Sequence, residues 1–117
     1  MLDNYDHNPR AWAAFLAGLD RLAAVGTAAH VPVVVFVHTS LEYLSFLHPY
    51  LDIYARIGRA AQERGMRVVQ SFPSLRGHEE ESLWVSDLDP HPNAAAHQLM
   101  ASALLNGLET GILPGVQ

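Results

Sequence analysis

The apolar residues of this chain recur at helical spacing in three segments, which predicts three amphipathic helices. The first is predicted to begin at Asn8 and Pro9, with Asn8 as the N-cap and Pro9 at the first helical position. It is predicted to end at about Gly26. Its apolar stripe consists of Trp12, Phe15, Leu16, Leu19, Leu22 and Ala23.

The second and third helices are marked by residues typical of helix ends. Pro49 lies near the start of the second helix, and Gly65 stands where a left-handed C-terminal cap belongs. The apolar stripe of this helix consists of Leu51, Tyr54, Ile57 and Ala61. Pro92 and Asn93 open the third helix, which is rich in alanine. Its apolar side consists of Leu99, Met100, Ala103, Leu104 and Leu108.

Two β-branched segments between the helices predict strands. Residues 31–37 are apolar throughout, with no polar residue at alternate positions. This pattern is typical of a strand covered on both faces in a parallel sheet. A second short strand is predicted over residues 66–70. Residues 41–47 predict a loop with a short helical turn, and residues 71–90 lack a clear period and predict a long loop. The order α-β-α-β-α favours a parallel α/β sheet with right-handed crossovers.

The length of 117 residues and the apolar content of 50% suit one domain over residues 1–117. Two strands are too few for such a sheet, because three helices cannot cover a narrow ribbon without exposing apolar surface. We therefore expect the sheet edge to be covered by further strands. These would come from an upstream segment or from a partner copy of the chain.

Charge and composition exclude several classes of function. The formal net charge is −5 and the seven basic residues are spread along the chain, so nucleic acid is not an expected partner. The absence of cysteine excludes disulfides, thiol catalysis and cysteine-based zinc sites. The apolar run at residues 33–37 is too short to cross a bilayer. The acidic first residues show no export signal, so the sequence by itself predicts a cytoplasmic location.

Candidate chemistry lies in residues 84–97, where Asp89 precedes His91 by two positions beside the start of the third helix. In open α/β sheets, loops that leave the carboxyl ends of strands deliver side chains to the ligand site. An imidazole with a pKa of about 6.5 takes and returns a proton near neutrality, and a neighbouring carboxylate holds it in one tautomer. The pair therefore indicates a general base for a serine hydroxyl.

The Asp-Pro-His-Pro-Asn sequence at residues 89–93, followed by Ala-His at 96–97 and an alanine- and leucine-rich helix, resembles the last conserved block of SGNH/GDSL-like hydrolases. The order of elements is similar to that of the second half of this fold. The resemblance implies a three-layer, flavodoxin-like α/β fold with a parallel sheet, of which this chain is the C-terminal part. It also implies a serine esterase that acts on a small carboxylic ester or another O-acyl substrate, with no cofactor and no metal.

The resemblance assigns catalytic roles to two residues. His91 corresponds to the general base of a Ser-His-Asp triad, and Asp89 to the acid that orients it. The usual spacing of the family places the acid three positions before the histidine, where this chain has Leu88. Asp87, four positions before His91, is the alternative acid.

The nucleophile of the family lies in a Gly-Asp-Ser-type turn, and the sequence contains no such turn. Ser40 and Ser71 follow predicted strands but lie outside a glycine-containing elbow. Asn4 stands roughly where an oxyanion-hole asparagine of the family would fall, although it lacks the expected glycine two residues earlier. We therefore expect a fragment of a longer enzyme, inactive as an esterase when isolated.

Simpler interpretations remain open for the same residues. His91 and His97 are structural residues in these interpretations, and His38 and Thr39 either line a substrate pocket or end the first strand. A metal site formed by Asp89, His91 and His97 is a further hypothesis, although the spacing matches no strong ligand signature. At the level of function, the alternatives are a non-catalytic α/β binding or interaction module and an O-acyltransferase on the same fold.

Overall fold

The computed structural model describes residues 7–44 and 48–112 of the chain. Helix α1, Pro9–Ala29, begins as predicted, because the Asn8 side chain accepts a hydrogen bond of 3.0 Å from the backbone N–H of Ala11. The predicted end at Gly26 is wrong. The helix continues for one more turn and ends with His30 in the left-handed conformation, at φ 55°.

Gly26 has a packing role instead of a capping role. It is buried, and a Cβ atom at this position would lie 2.6 Å from Cγ2 of Val33. The backbone N–H of Val31 donates to the carbonyl of Gly26 at 2.9 Å, which closes the end of α1. Glycine is therefore required here because the chain folds back closely against the helix.

Strands β1, Val34–Val37, and β2, Arg67–Gln70, form a two-stranded sheet. The N–H of Arg67 donates to the carbonyl of Val33 at 3.0 Å, and that of Ser71 to Val37 at 3.1 Å. Both partners advance in the same direction, so the pairing is parallel. Both strands were predicted, but β1 begins later than expected because the N–H of Val31 belongs to the cap of α1.

Helix α2, Leu51–Gln62, ends as the sequence predicts. Gly65 has a φ of 79°, its N–H donates to Gln62, and the next N–H, of Met66, donates to Ala61. These two hydrogen bonds form the Schellman arrangement, with glycine at the left-handed position. Before α2, residues 41–44 form bends and a turn, and residues 45–47 of the predicted helical turn lie outside the described residues.

The long loop predicted over residues 71–90 is wrong. The segment contains a short helix α3, Phe72–Leu75, and a 3-10 turn, Glu80–Leu83. An antiparallel hairpin follows, formed by β3, Trp84–Ser86, and β4, Asp89–Pro92. Each element has at most four residues, which is too short for a hydrophobic period to appear in the sequence.

Helix α4, Ala94–Gly107, follows the hairpin directly and confirms the third predicted helix. Asn93 is its N-cap, since its side-chain oxygen accepts a hydrogen bond of 3.0 Å from the N–H of Ala96. A π-helical turn, Leu108–Ile112, continues from its end. No helix in the described ranges has the length and apolar composition needed to cross a bilayer.

The chain divides into two compact units, which we call the first unit and the hairpin unit. The first unit comprises residues 1–35 and 50–68, and the hairpin unit comprises residues 36–49 and 69–117. The buried cluster of the first unit consists of Leu19, Ala60, Ala61 and Met66. That of the hairpin unit consists of Leu41, Leu44, Leu75, Leu83, Ala96 and Met100. The protein is thus a mixed α/β protein with a small parallel sheet and a small antiparallel hairpin.

Candidate functional site

The two candidate catalytic residues lie on one strand of the hairpin. Asp89 is the first residue of β4 and His91 is its third. Alternate residues of a strand face the same side, so the spacing of two brings both side chains together. The sequence predicted a loop leaving a parallel strand, and this expectation is wrong, because the segment pairs with β3 through Ser86 and Asp89 and through Trp84 and Pro92.

The carboxylate of Asp89 contacts His91 twice. Its Oδ1 lies 2.5 Å from Nδ1 of the His91 ring and accepts a hydrogen bond of 3.1 Å from the His91 backbone N–H. The His91 side chain is 82% exposed and that of Asp89 is 44% exposed. Asp87, the alternative acid, lies in the exposed turn between β3 and β4. The geometry therefore pairs His91 with Asp89.

The hydrogen bond from the His91 ring holds the pKa of the Asp89 carboxyl below its ordinary value, and the bond from the His91 backbone N–H adds to the effect. Asp89 is therefore ionised at neutral pH. An ionised carboxylate only accepts hydrogen bonds, so a neutral His91 must donate from Nδ1. Its Nε2 then carries the lone pair and is the atom able to take a proton from a hydroxyl.

Asn93 joins the hairpin to α4. Its backbone N–H donates to the carbonyl of Leu83 at 2.9 Å. Its side-chain amide donates to the carbonyls of Ser82 and Trp84, at 2.9 and 3.0 Å, while its side-chain oxygen caps α4 at Ala96. The side chain fixes the base of the hairpin, two residues from His91. The prediction that the third helix opens at Asn93 is confirmed.

The residues that follow β1 lie in the hairpin unit. Thr39 and Ser71 are fully buried. The backbone N–H of Thr39 donates to Oγ of Ser71 at 2.8 Å, and the Ser71 hydroxyl donates to Oγ1 of Thr39 at 2.8 Å. A hydroxyl that is buried and hydrogen-bonded in this way is not accessible to substrate. Thr39 therefore does not line a substrate pocket, and Ser71 is not a nucleophile.

The pKa of His38, the residue before Thr39, is lowered by burial and by a second histidine. Desolvation of its ring and the nearby ring of His97 lower the pKa of His38 below its ordinary value. His38 therefore stays neutral at neutral pH. Ser40 is partly buried, and Asn4 lies outside the described residues.

A cleft of about 450 Å³ lies along the first turns of α4 in the hairpin unit. It is lined by His78, Ser82, Leu83, Ala95, Gln98, Leu99 and Ser102. The sequence did not predict the cleft, because its lining comes from a bend, the 3-10 turn and α4, whose proximity no spacing reveals. The lining holds polar groups but no Asp, Glu, Lys or Arg, so the cleft suits a small neutral ligand with apolar parts.

Within the described ranges, no three His, Asp or Glu side chains are placed to hold a metal ion together, and this includes Asp89, His91 and His97. Comparison of the chain with protein-family models, with curated proteins and with solved structures finds no match. Any functional assignment therefore depends on the geometry of the site.

Proposed function

We propose that Asp89 and His91 are the acid and base of an SGNH-type serine ester hydrolase. The observation that carries the proposal is the contact of 2.5 Å between Nδ1 of His91 and Oδ1 of Asp89 on a ring that is 82% exposed. This arrangement fixes one ring nitrogen and leaves the other open to an incoming hydroxyl. It is the arrangement that a general base of a Ser-His-Asp triad requires.

In the proposed reaction, Nε2 of His91 removes the proton from a serine hydroxyl as the serine oxygen bonds to the acyl carbon of the ester. The bond to the alcohol then breaks, and the proton passes from His91 to the departing alcohol oxygen. In the second step Nε2 of His91 removes a proton from water as the water oxygen bonds to the acyl carbon. The bond from that carbon to the serine oxygen then breaks, His91 returns the proton to the serine, and the carboxylic acid leaves. Asp89 keeps the ring in one orientation and stabilises the imidazolium formed in both steps.

The proposal requires a serine from another segment or from a partner chain, because the sequence holds no Gly-Asp-Ser turn. The parallel pairing of β1 and β2 supports this requirement. Parallel strands occur almost only in larger sheets covered on both faces, so β1 and β2 suit the C-terminal part of a flavodoxin-like sheet.

The test is to tag the protein at the C-terminus at its own chromosomal locus and purify it with whatever segment or partner accompanies it. The purified protein should react with a fluorophosphonate, which labels activated serines, and should hydrolyse p-nitrophenyl esters. His91→Ala should abolish both reactions, whereas His78→Ala, in the nearby cleft, should leave the labelling intact. Absence of labelling and of hydrolysis in the wild type would contradict the proposal.

A second candidate, a non-catalytic binding module, is supported by the uncharged cleft along α4, whose lining does not include His91. This function predicts that a small neutral ligand binds with the same affinity to the wild type and to His91→Ala. The substitution Ser102→Trp, which fills the cleft, should abolish binding. An O-acyltransferase would use the same pair as the hydrolase, with an alcohol in place of water as the acceptor.

A further inference from the structure

The first unit has a second cleft, of about 230 Å³, between α1 and α2. Three arginines line it, namely Arg56, Arg59 and Arg64. The chain contains no lysine, and its seven basic residues are all arginines in a protein with a formal net charge of −5. Three of the seven therefore face one cleft, which concentrates positive charge on an otherwise acidic chain.

Arg56 and Arg59 lie three residues apart on one face of α2. Arg64 lies in the turn that follows the helix, directly after Glu63. Ala60, only 5% exposed, lies among them. From α1, the cleft is lined by Trp12 and Leu16.

Two of the three guanidinium groups are already held in place. The guanidinium carbon of Arg56 lies 4.4 Å from the centre of the Trp12 ring, within cation–π distance. Arg64 donates from Nε to Asp20 at 2.6 Å and from Nη1 to the carbonyl of Ala60 at 2.9 Å. These bonds use two of its five N–H donors and leave the rest for a ligand. A guanidinium that is fixed in advance loses little conformational entropy when it binds an anion.

Arg59 supplies the third positive charge. It is exposed, and in the described part of the chain no carboxylate forms an ion pair with it. Glu63 also lines the cleft, and Asp20 is paired with Arg64. Three guanidinium groups against two carboxylates leave the cleft positively charged. An exposed arginine that has no ion pair with a described carboxylate, beside two arginines that are held in place, favours an anionic ligand.

We propose that this cleft binds the phosphate group of a small ligand. A phosphate carries a charge of about −1.5 to −2 near pH 7 and has three or more free oxygens, so it can accept hydrogen bonds from several guanidinium groups at once. A carboxylate has two oxygens and one charge and satisfies fewer of these donors. The site is separate in sequence from Asp89 and His91, so the proposal does not depend on the esterase function.

The test is isothermal titration calorimetry of the full chain at low salt with inorganic phosphate, and with acetate at equal ionic strength. Tryptophan fluorescence provides a second signal, since Trp12, one of the two tryptophans of the chain, lines the cleft. Arg59→Gln removes one charge without breaking an ion pair among the described residues. Arg76→Gln is the matched control, because Arg76 is exposed and lies outside the cleft. Circular dichroism checks that each variant is folded.

The proposal predicts saturable phosphate binding that Arg59→Gln weakens by roughly tenfold, as expected for loss of a charge-assisted hydrogen bond. Arg76→Gln should bind as the wild type does, and acetate should bind at least roughly tenfold more weakly than phosphate. The proposal is overturned if phosphate does not saturate the protein or if Arg59→Gln binds it as tightly as the wild type. Equal weakening in Arg76→Gln, or equal affinity for acetate, overturns it as well.

Discussion

Two side-chain pairs among the described residues, Arg64 with Asp20 and His91 with Asp89, differ in how they are built. In the first unit, Arg64 and Asp20 are 44 residues apart in sequence and link the turn after α2 to α1, with the arginine side chain only 20% exposed. In the hairpin unit, Asp89 and His91 are two residues apart on one strand, and the histidine is 82% exposed. A pair that joins two elements distant in sequence helps to hold the folded structure together. A local, exposed pair contributes little to the fold, which leaves it available for chemistry.

The sharpest test of this difference compares the two acids. Asp89→Ala should lower kcat of the protein tagged at its own locus by roughly 10³- to 10⁴-fold, because His91 loses the group that fixes its tautomer. Its free energy of unfolding at neutral pH should fall only slightly, because the pair is exposed to solvent. Asp20→Ala should leave kcat unchanged, as measured with p-nitrophenyl acetate. Equal kcat in Asp89→Ala and the wild type would remove the distinction between the two pairs.

Two glycines of α1 test the packing of the first unit. Gly26→Ala should lower the free energy of unfolding by about 1–3 kcal/mol, because the new Cβ meets Val33 at 2.6 Å. Gly18→Ala is the matched control, since no atom lies within 4 Å of a Cβ there. It should raise the free energy of unfolding by about 0.5–1 kcal/mol. Urea denaturation measures both, and a neutral Gly26→Ala would show that the chain does not approach α1 so closely.

The pair in the first unit should have only a modest effect on stability. Asp20→Asn should lower the free energy of unfolding by no more than about 1 kcal/mol, because Asp20 is 63% exposed and solvent screens the pair. The loss should shrink further in high salt. Urea denaturation at low and high salt checks this. A loss that persists at high salt would mean that the pair is not a screened surface interaction.

The smallest expected effect is the pH dependence caused by Asp89. Its pKa is lowered in the folded protein, so its stabilising contribution is present above the ordinary pKa and is lost as the pH falls through the lowered pKa. The difference in unfolding free energy between the wild type and Asp89→Asn should therefore decrease on acidification. Asp87→Asn, in the exposed turn, is the control. A difference that increases on acidification would contradict the assigned direction.

Local signals in the sequence predicted the helices well. Asn8 and Asn93 cap helices and Gly65 ends one because short-range hydrogen bonds decide these conformations. Gly26 was misinterpreted because glycine serves close packing as well as left-handed caps, and His30 takes the left-handed position instead. The left-handed position at a helix end is usually glycine or asparagine, so a histidine there does not predict the end of a helix.

The hairpin could not be predicted, although the pair on it could. Pro90 and Pro92 lie in β4, and proline is disfavoured in strands, so the segment resembled a loop. The choice between Asp87 and Asp89 depended on this missing element. Once β4 is known to begin at Asp89, the alternation of side chains places Asp89 beside His91, whereas Asp87 lies in the turn before the strand. The clefts remained unpredicted because their residues are distant in sequence.

The central claim is that Asp89 fixes the His91 ring with its proton on Nδ1. Long-range ¹H–¹⁵N NMR of the ring at alkaline pH, where imidazoles are neutral, measures this directly. The structure predicts a protonated Nδ1 and an unprotonated Nε2 in the wild type, and a shift toward protonated Nε2 in Asp89→Ala. A wild-type ring protonated mainly on Nε2, or the same spectrum in both proteins, would contradict the account.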